Sequence, residues 1–196
     1  MSAPPASPLL LASVSPQRRA ILEQLRIPFD LTEPRYVEEE GPHDPVELVR
    51  AHARGKARSV ADEAGGRPVL AVDTAVVVDG RAFGKPSGPE EAERMLEALS
   101  GRTHEVVSGL CLLTSAWEEL EHEATSVGFR ALTARDIAHY LASDEWRDRA
   151  GAYAIQGLGA GFVQRIDGDY LNVVGLPAAL LVRLLADRFA GVYGFG

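Results

Sequence analysis

Hydrophobic residues along the chain fall into short continuous runs and into helical repeats. Residues 9–14 form a short, largely apolar run, which predicts a buried strand. Ser15 and Pro16 follow it, a hydroxyl suited to a helix cap and a proline suited to the first helical position. Apolar residues then recur at helical spacing until Pro28. The fold is therefore predicted to start with a strand that leads directly into a helix.

The same patterns predict the later elements. Asp44 and Pro45 repeat the combination of cap and proline, and further helices are predicted at residues 46–64, 87–99, 133–141 and 177–186. Further strands are predicted at residues 68–78, 104–114, 123–132, 162–166 and 171–174, and residues 29–37 fit either a polar strand or a loop. Asp79 and Gly80 form a favoured hairpin turn behind residue 78. Connections of both crossover and hairpin length predict a mixed sheet, in an α/β or α+β architecture.

Composition narrows the class of protein. The chain has 196 residues, of which 46% are hydrophobic and 24% charged, close to the average for soluble globular proteins. No repeat or low-complexity linker divides it, so a single domain over residues 1–196 is predicted. Residues 1–8 are rich in proline, alanine and serine and are expected to be poorly ordered. No apolar run reaches the ~18 residues of a membrane-spanning helix, which argues against a membrane protein.

Charge and cysteine content exclude further classes. The formal net charge is −8 and the basic residues form no long block, so duplex nucleic acid is not expected as a partner. The single cysteine, Cys111, cannot form an intramolecular disulfide. The N-terminus lacks the basic and long apolar regions of a secretory signal. A cytoplasmic location is therefore expected.

Asp73 interrupts the apolar run at residues 68–78. An ionised carboxylate in a buried strand costs several kcal/mol unless it meets a cation, a metal ion or hydrogen-bond donors. One interpretation is a structural aspartate bonded to backbone amides at a bend of the strand. The other is a functional carboxylate beside Thr74.

Lys56 is the second residue that breaks an apolar pattern. At helical spacing its direction lies between those of Val49, Ala53 and Val60, in the middle of an apolar stripe. A lysine at such a position either extends its ammonium group out to solvent or points it into a polar site.

Ser13, Ser15, Arg18 and Arg19 cluster where the first strand enters its helix. Free backbone amides and the positive end of a helix can receive an anion at such a place. The alternative is an ordinary serine cap with two solvated arginines.

Lys85 lies in a Gly-Lys-Pro turn that follows the predicted hairpin. The hairpin predicts that this lysine returns to the neighbourhood of Asp73, and the alternative is a turn lysine in solvent. The sequence contains no P-loop, GxGxxG turn, HExxH pair or CxxC site. Its histidines show no metal-ligand spacing: His43, His52, His104, His122 and His139.

Four ordered segments together resemble the Maf family of nucleoside triphosphate pyrophosphatases, a match that runs from Leu9 to Leu185. They are LLASVSPQRRAIL at 10–22, AVDTAVVVDGRAFGKP at 71–86, LSGRTHEVVSG at 99–109, and AGAYAIQGLGAGFVQRIDGDYLNVVGLP at 150–177. The resemblance implies an enzyme that cuts between the α and β phosphates of a nucleoside triphosphate, releasing a monophosphate and pyrophosphate. It implies an elongated, mixed α/β fold with a central cleft, often a homodimer, and a requirement for Mg²⁺ or Mn²⁺.

The resemblance also implies roles for individual residues. Asp73 matches the family's proton acceptor, and Glu38, nine places after Phe29, matches a family acidic residue. These two carboxylates would hold the metal ion or activate water. The residues that match the family's phosphate-binding groups are Arg18, Lys56, Lys85, Ser13 and Ser15.

Three positions bear on the base that is recognised. Thr74 and Gln156 resemble the branch of the family that acts on dTTP and UTP, whereas the branch acting on 7-methyl-GTP has Gln and Glu there. Gln17 is a departure, because the pyrimidine branch usually has Arg at that position. The resemblance therefore implies a pyrimidine preference with altered selectivity among pyrimidines.

Two other functions are compatible with the same resemblance. One is a nucleotide-binding regulator of cell division, since the family name is also attached to inhibition of septum formation. The other is a 7-methyl-GTP pyrophosphatase. Retention of Asp73, Glu38, Lys56 and Lys85 favours an enzyme over a regulator that only binds nucleotide.

Overall fold

A computed structural model describes residues 7–38 and 44–195. Within these residues the strands form a seven-stranded sheet flanked by helices. The strands are β1 (Leu9–Ala12), β2 (Phe29–Thr32), β3 (Val69–Val78), β4 (Arg81–Phe83), β5 (Thr103–Leu113), β6 (Glu118–Phe129) and β7 (Val163–Asp167). The helices are α1 (Pro16–Gln24), α2 (Pro45–Ser59), α3 (Pro89–Leu99), α4 (Ala134–Leu141), α5 (Tyr170–Val174) and α6 (Ala178–Phe189). Short 3₁₀ turns lie at Ala61–Glu63, Ala150–Ala152 and Leu158–Phe162.

The strand order of the sheet is β2-β1-β3-β5-β6-β7, with β4 paired to β3. β1 is parallel to both β2 and β3, whereas the pairs β3–β4 and β6–β7 are antiparallel. Parallel neighbours need a crossover connection, which α1 and α2 supply, whereas the antiparallel strands β3 and β4 are joined by a short turn. The predicted mixed α/β architecture is confirmed.

The helix starts predicted at Ser15, Asp44 and Thr133 carry capping side chains. Ser15 and Asp44 accept hydrogen bonds from backbone amides in the first turns of α1 and α2. Thr133 and Asp136 form a reciprocal capping box at the start of α4. The predicted hairpin also forms, because Asp79 (φ 51°) and Gly80 (φ 73°) both take the left-handed conformation that a two-residue turn requires.

Helix α2 ends earlier than the apolar stripe predicted. It stops at Ser59, and Val60, with φ −124°, leads into the 3₁₀ turn Ala61–Glu63. The Ser59 hydroxyl donates to the Lys56 carbonyl at 2.8 Å, which supplies a local partner for that carbonyl. Residues 61–64 therefore continue the apolar stripe without continuing the α-helix.

The strand predicted at residues 171–174 is wrong. These residues belong to α5, which starts beside Asp169, whose Oδ1 accepts from the Leu171 amide at 2.8 Å. The buried Asn172 side chain donates to the Val106 carbonyl at 2.9 Å and to Thr125 Oγ1 at 3.0 Å. These tertiary hydrogen bonds outweigh the strand propensity of the neighbouring Leu and Val residues.

Two further elements have bounds that differ from the sequence prediction. The strand predicted at 123–132 is Glu118–Phe129, because the chain reverses early at Thr114, whose Oγ1 accepts from the Trp117 amide at 3.1 Å. The final helix, predicted to end at residue 186, extends to Phe189.

The described chain divides into two compact units. Unit one comprises Met1–Asp73, Ser108–Glu123 and Gly175–Gly196, and unit two comprises Thr74–Val107 and Ala124–Val174. Three of the four boundaries between them fall within β3, β5 and β6, and the fourth lies at the end of α5. Unit one has a core that joins α2 to β1 and β3, and unit two has an aromatic core that includes Phe129, Tyr140 and Tyr153. The predicted single domain stays a prediction.

The predicted poorly ordered start of the chain lies outside the described residues except for Ser7 and Pro8. The Ser7 carbonyl accepts a hydrogen bond from the Tyr193 hydroxyl at 2.9 Å. Among the helices of the described residues, none has the length and hydropathy needed to cross a membrane.

Candidate active site

Asp73 lies where β3 is partly exposed to solvent. Of the ten residues in this strand, only Asp73 and Thr74 are partly exposed. Lys56 Nζ, from α2, lies 2.5 Å from Asp73 Oδ1, and the two side chains are 11% and 14% exposed. Lys56 therefore points into a polar site instead of extending out to solvent, and Asp73 has a charged side-chain partner.

Glu38 meets the same ammonium group. Its Oε1 lies 2.5 Å from Lys56 Nζ, while its side chain is 53% exposed. The two carboxylates that the resemblance assigns to metal binding thus converge on Lys56. They come from β3 and from the segment after β2, so the fold brings together residues that are far apart in the chain.

His52 belongs to this cluster and was missed from the sequence. It lies on α2 one helical turn before Lys56, is buried, and places Nδ1 3.3 Å from Asp73 Oδ2. Asp73 therefore divides its two oxygens between Lys56 and His52. The sequence around His52 has no metal-ligand spacing, but its position four residues before Lys56 puts both side chains on one helical face.

The electrostatics of the cluster keep Asp73 ionised. Burial by itself would raise the pKa of Asp73, but the hydrogen bond with His52, the charge and hydrogen bond of Lys56, and the charge of Arg18 act against it. The net result is a pKa below the ordinary value for aspartate. At neutral pH Asp73 is thus in the form that accepts a proton or binds a metal ion.

The donor atoms of Glu38, His52 and Asp73 fit a divalent metal ion. One ligand atom from each residue can be chosen so that all three lie within 4.8 Å of one another. Carboxylate oxygens suit Mg²⁺ and Mn²⁺, and an imidazole nitrogen suits transition metals. Lys56 Nζ contacts Oδ1 of Asp73, whereas Oδ2 of Asp73 faces His52. Oδ2 is therefore the Asp73 oxygen that lies beside the histidine of this donor set.

Tyr36 packs against α2 beside this cluster. A Cβ atom on Gly55 would lie 2.6 Å from Cδ2 of the Tyr36 ring, so the ring can take its place only because residue 55 is glycine. The ring centroids of Tyr36 and His52 are 5.8 Å apart. Tyr36 precedes Glu38 by two residues, so this packing fixes the segment that presents Glu38 to Lys56.

Gly109 lets α2 approach β5 closely. A Cβ atom on this glycine would lie 2.6 Å from the Arg50 backbone nitrogen and would also overlap the Val49 backbone. Backbone atoms cannot swing aside as a flexible side chain can. The position of α2 therefore depends on the absence of a side chain at residue 109. The positions of His52 and Lys56, which α2 carries, depend on it too.

The two predicted serines lie in the turn between β1 and α1. Ser13 is buried, and its Oγ accepts from the Ser15 amide at 3.1 Å and from Arg18 Nη1 at 3.4 Å. Arg18 Nε donates to the Gly175 carbonyl at 2.8 Å. Burial lowers the pKa of Arg18, and the charges of Asp73 and Glu38 act in the opposite direction. Arg18 is thus electrostatically coupled to both carboxylates.

Gln17 takes part in the same turn. The Ser15 hydroxyl donates to Gln17 Oε1 at 3.2 Å. Arg19, the other arginine of the predicted cluster, pairs instead with Glu23 on the exposed face of α1, where Nε and Oε1 are 2.8 Å apart. Arg18 is therefore the arginine of this cluster that joins the candidate site.

The remaining predicted site residues, Thr74, Lys85 and Gln156, belong to unit two. Lys85 is exposed, with Nζ 3.9 Å from Asp148 Oδ1. Gln156 is exposed as well. Their convergence with the unit-one residues, including the approach of Lys85 to Asp73, stays a prediction.

The segment that carries Gln156 is anchored by two tyrosines. The Tyr140 hydroxyl accepts from the Ala154 amide at 2.9 Å, and the Tyr153 hydroxyl lies 3.0 Å from His104 Nε2. Both tyrosines and His104 are buried. Gln156 is thus an exposed side chain on a backbone that is held from within unit two.

Known proteins are similar to this chain over most of its length. The family model described as Maf-like protein matches residues 8–188. The dTTP/UTP pyrophosphatase of Gloeobacter violaceus is 46% identical over 180 residues, 91% of this chain and 95% of that protein. The dTTP/UTP pyrophosphatase of Deinococcus radiodurans is 40% identical over 196 residues, 100% of both chains. Among solved structures, the Staphylococcus aureus Ham1 protein matches with a TM-score of 0.46 and 15% identity, over 63% of this chain and 72% of that one.

The family model covers almost the whole chain, and the relatives align over nearly their full length. The motifs that carry the resemblance include Asp73, which contacts Lys56, and Ser15 and Arg18, which contact Ser13. This chain therefore belongs to the family of Maf-like proteins.

Proposed function

We propose that this protein is a nucleoside triphosphate pyrophosphatase that hydrolyses the α–β phosphate bond of dTTP, UTP and modified pyrimidine nucleotides. The observation that carries the proposal is the convergence of Asp73 and Glu38 on Lys56, with His52 against Asp73. The names of the relatives from Gloeobacter violaceus and Deinococcus radiodurans support the same activity and substrates.

The cations of the site bind the triphosphate. Lys56, Arg18 and Lys85 supply positive charge, and Ser13 and Ser15 supply hydroxyl groups at the start of α1. Such donors stabilise the negative charge that moves onto the leaving pyrophosphate in the transition state. Lys56 is held by two carboxylates, so its ammonium is oriented before the substrate arrives.

Asp73 and Glu38 hold a divalent cation, Mg²⁺ or Mn²⁺, in this proposal. The ion supplies charge neutralisation at the phosphate oxygens. Asp73 also accepts a proton from the attacking water as the water oxygen bonds to the α-phosphorus. The bond from that phosphorus to the bridging oxygen breaks, and its electron pair leaves with pyrophosphate. The low pKa of Asp73 favours the ionised form that these roles need.

Base selection is assigned to Thr74, Gln156 and Gln17. Thr74 and Gln156 are the residues expected of the pyrimidine branch. Gln17 Oε1 accepts a hydrogen bond from the Ser15 hydroxyl. The residue assigned to base selection therefore contacts a residue assigned to phosphate binding. A neutral amide at this position removes one fixed cation from the site.

The names of the curated relatives do not favour the two alternatives, a regulator of cell division that only binds nucleotide and a 7-methyl-GTP pyrophosphatase. A test compares hydrolysis of dTTP, UTP, CTP, GTP and 7-methyl-GTP with Mg²⁺ and with Mn²⁺. We expect hydrolysis of dTTP and UTP in the presence of metal, with ³¹P NMR showing pyrophosphate and a nucleoside monophosphate. Release of inorganic phosphate and a diphosphate, or binding without turnover, would contradict the proposal.

A further inference from the structure

We propose that His52 is a nitrogen ligand of the divalent metal ion at this site, and that it shifts the metal preference from Mg²⁺ towards Mn²⁺. The inference rests on the proposed function for the presence of a metal ion. It adds a ligand that the resemblance does not include, from a residue whose spacing gave no indication of metal binding.

The separation of the donor atoms is the first support. His52 Nδ1 and Asp73 Oδ2 are 3.3 Å apart. Two ligands that bind one ion at about 2.1 Å and at a right angle are themselves about 3 Å apart. The observed pair needs a small adjustment, and the imidazole tautomer with its proton on Nε2, to bind adjacent positions of the same ion.

The partition of the Asp73 oxygens is the second support. Oδ1 pairs with Lys56, while Oδ2 faces His52. An ion can therefore bind Oδ2 and Nδ1 while the contact between Lys56 and Oδ1 is kept. Glu38 supplies the third donor within the same 4.8 Å cluster.

His52 is also held in place by its surroundings. Its side chain is 11% exposed, and the Tyr36 ring packs on it with a centroid distance of 5.8 Å. The residues beside it on α2, Val49 and Ala53, are fully buried. An imidazole in such a position loses little side-chain entropy when it binds a metal ion.

The chemistry of the imidazole sets the metal preference. Mg²⁺ selects oxygen ligands and usually keeps several waters, whereas imidazole nitrogen is a good ligand for transition metals. A nitrogen ligand beside two carboxylates therefore favours Mn²⁺ over Mg²⁺. If His52 instead only orients Asp73 by a hydrogen bond, loss of the imidazole lowers the affinities for Mg²⁺ and Mn²⁺ to the same extent.

The experiment uses the full-length protein and Mn²⁺ alone. Electron paramagnetic resonance measures Mn²⁺ binding, and electron spin echo modulation detects a directly bound imidazole nitrogen. We expect imidazole modulation in the wild type, altered by ¹⁵N-histidine labelling and lost in His52→Gln. We expect the modulation to persist in two control variants, His43→Gln, outside the described residues, and His139→Gln, on the exposed face of α4.

Affinity measurements separate a ligand from a positioning residue. In His52→Gln we expect Mn²⁺ affinity to fall about tenfold or more, and Mg²⁺ affinity, measured by competition, to fall clearly less. Equal losses for both ions would overturn the inference. So would bound Mn²⁺ without imidazole modulation, or modulation that is lost with His43 instead. The ¹⁵N-labelled wild type keeps the test valid if His52→Gln does not fold.

The outcomes are separable from those of the proposed function. Hydrolysis of dTTP by the wild type without imidazole modulation overturns the role of His52 alone. Imidazole modulation without hydrolysis of any triphosphate overturns the proposed activity and leaves the His52 ligand in place.

Discussion

The ring of Tyr36 lies against Gly55 at a distance that excludes any side chain at residue 55. Glycine inside a helix costs about 1 kcal/mol of stability relative to alanine. At Gly55 this loss of helix stability makes room for the Tyr36 ring. The ring in turn sets the position of Glu38, two residues further along the chain. The glycine at residue 55 of α2 thus affects the geometry around Lys56 through the packing of the Tyr36 ring.

Gly55→Ala should lower activity without lowering stability. The new methyl group displaces the Tyr36 ring, and Glu38 moves away from Lys56, while the helix itself gains propensity. We expect kcat/KM for dTTP to fall about tenfold, a loss of about 1.4 kcal/mol in transition-state stabilisation, with a melting temperature near that of the wild type. Tyr36→Ala and the double variant serve as controls. If the ring acts only through its position, the double variant is no worse than Tyr36→Ala.

Asp73→Asn should abolish hydrolysis and leave the fold intact. The amide has nearly the same shape but neither accepts the proton of water nor binds a metal ion well. We expect kcat to fall by ~10² or more. Circular dichroism and thermal unfolding check the fold, because Lys56 keeps Glu38 as a partner. Turnover close to that of the wild type would rule out the assigned role of Asp73, and an unfolded variant would indicate a structural one.

Lys56→Met should raise KM and lower kcat together. Methionine fills a similar volume without charge, so the apolar packing of α2 is retained. A cation that contacts phosphates contributes more as charge moves onto the leaving group, and both constants should therefore change. Lys85→Ala should act in the same direction and tests the residue from unit two. A change in thermal stability alone, with unaltered kinetics, would show that Lys56 is structural.

Gln17→Arg should sharpen selectivity among pyrimidines. A pocket that hydrogen-bonds one base edge rejects a base that leaves its groups unpaired, at ~1 to 3 kcal/mol for each buried group. We expect the wild type to favour pyrimidines over purines by roughly tenfold or more, with looser discrimination among dTTP, UTP and CTP than in the variant. The measurement is kcat/KM for each triphosphate. Equal or better use of 7-methyl-GTP by the wild type would contradict the pyrimidine assignment.

The buried His104 should make the fold sensitive to mild acid. Burial lowers the pKa of His104 from 6.5 to about 4. Between these values the unfolded chain binds a proton that the folded chain does not, so the free energy of unfolding decreases as pH falls. The full effect of this one group is about 3 kcal/mol, complete near pH 4 and absent above pH 6.5.

Urea unfolding at several pH values measures this effect. We expect His104→Gln, which does not titrate, to show a smaller loss of stability than the wild type between pH 6.5 and pH 4. His139→Gln, which changes an exposed histidine on α4, is the matched control and should follow the wild type. Identical pH dependence in all three proteins would show that His104 is not the group responsible.

The sequence singles out Asp73 and Lys56, because each interrupts an apolar pattern, but it leaves open whether their partners are structural or functional. Ser15, Asp44 and Thr133 were equally informative, since a helix cap acts within a few residues of the chain. The resemblance connected Glu38 to these residues. All of these features depend on local patterns or on ordered motifs.

Features that depend on tertiary contacts were not predicted. Residues 171–174 have strand propensity, but hydrogen bonds of Asn172 to two other segments accompany a helix there. His52 gave no motif because its partners lie on β3 and after β2, and only the fold brings them together. Gly55 and Gly109 are ordinary glycines in sequence, and their importance comes from the atoms that approach them.

The contact between Gly109 and the Val49–Arg50 backbone has a consequence for protein engineering. Because this contact involves the backbone of α2, we expect an exchange of the side chain at residue 52 to leave the contact in place. Substitutions there, such as His52→Asp or His52→Leu, therefore offer a way to alter metal selectivity on an unchanged scaffold. Residue 109, by contrast, tolerates no such variation, since any larger side chain displaces the whole helix.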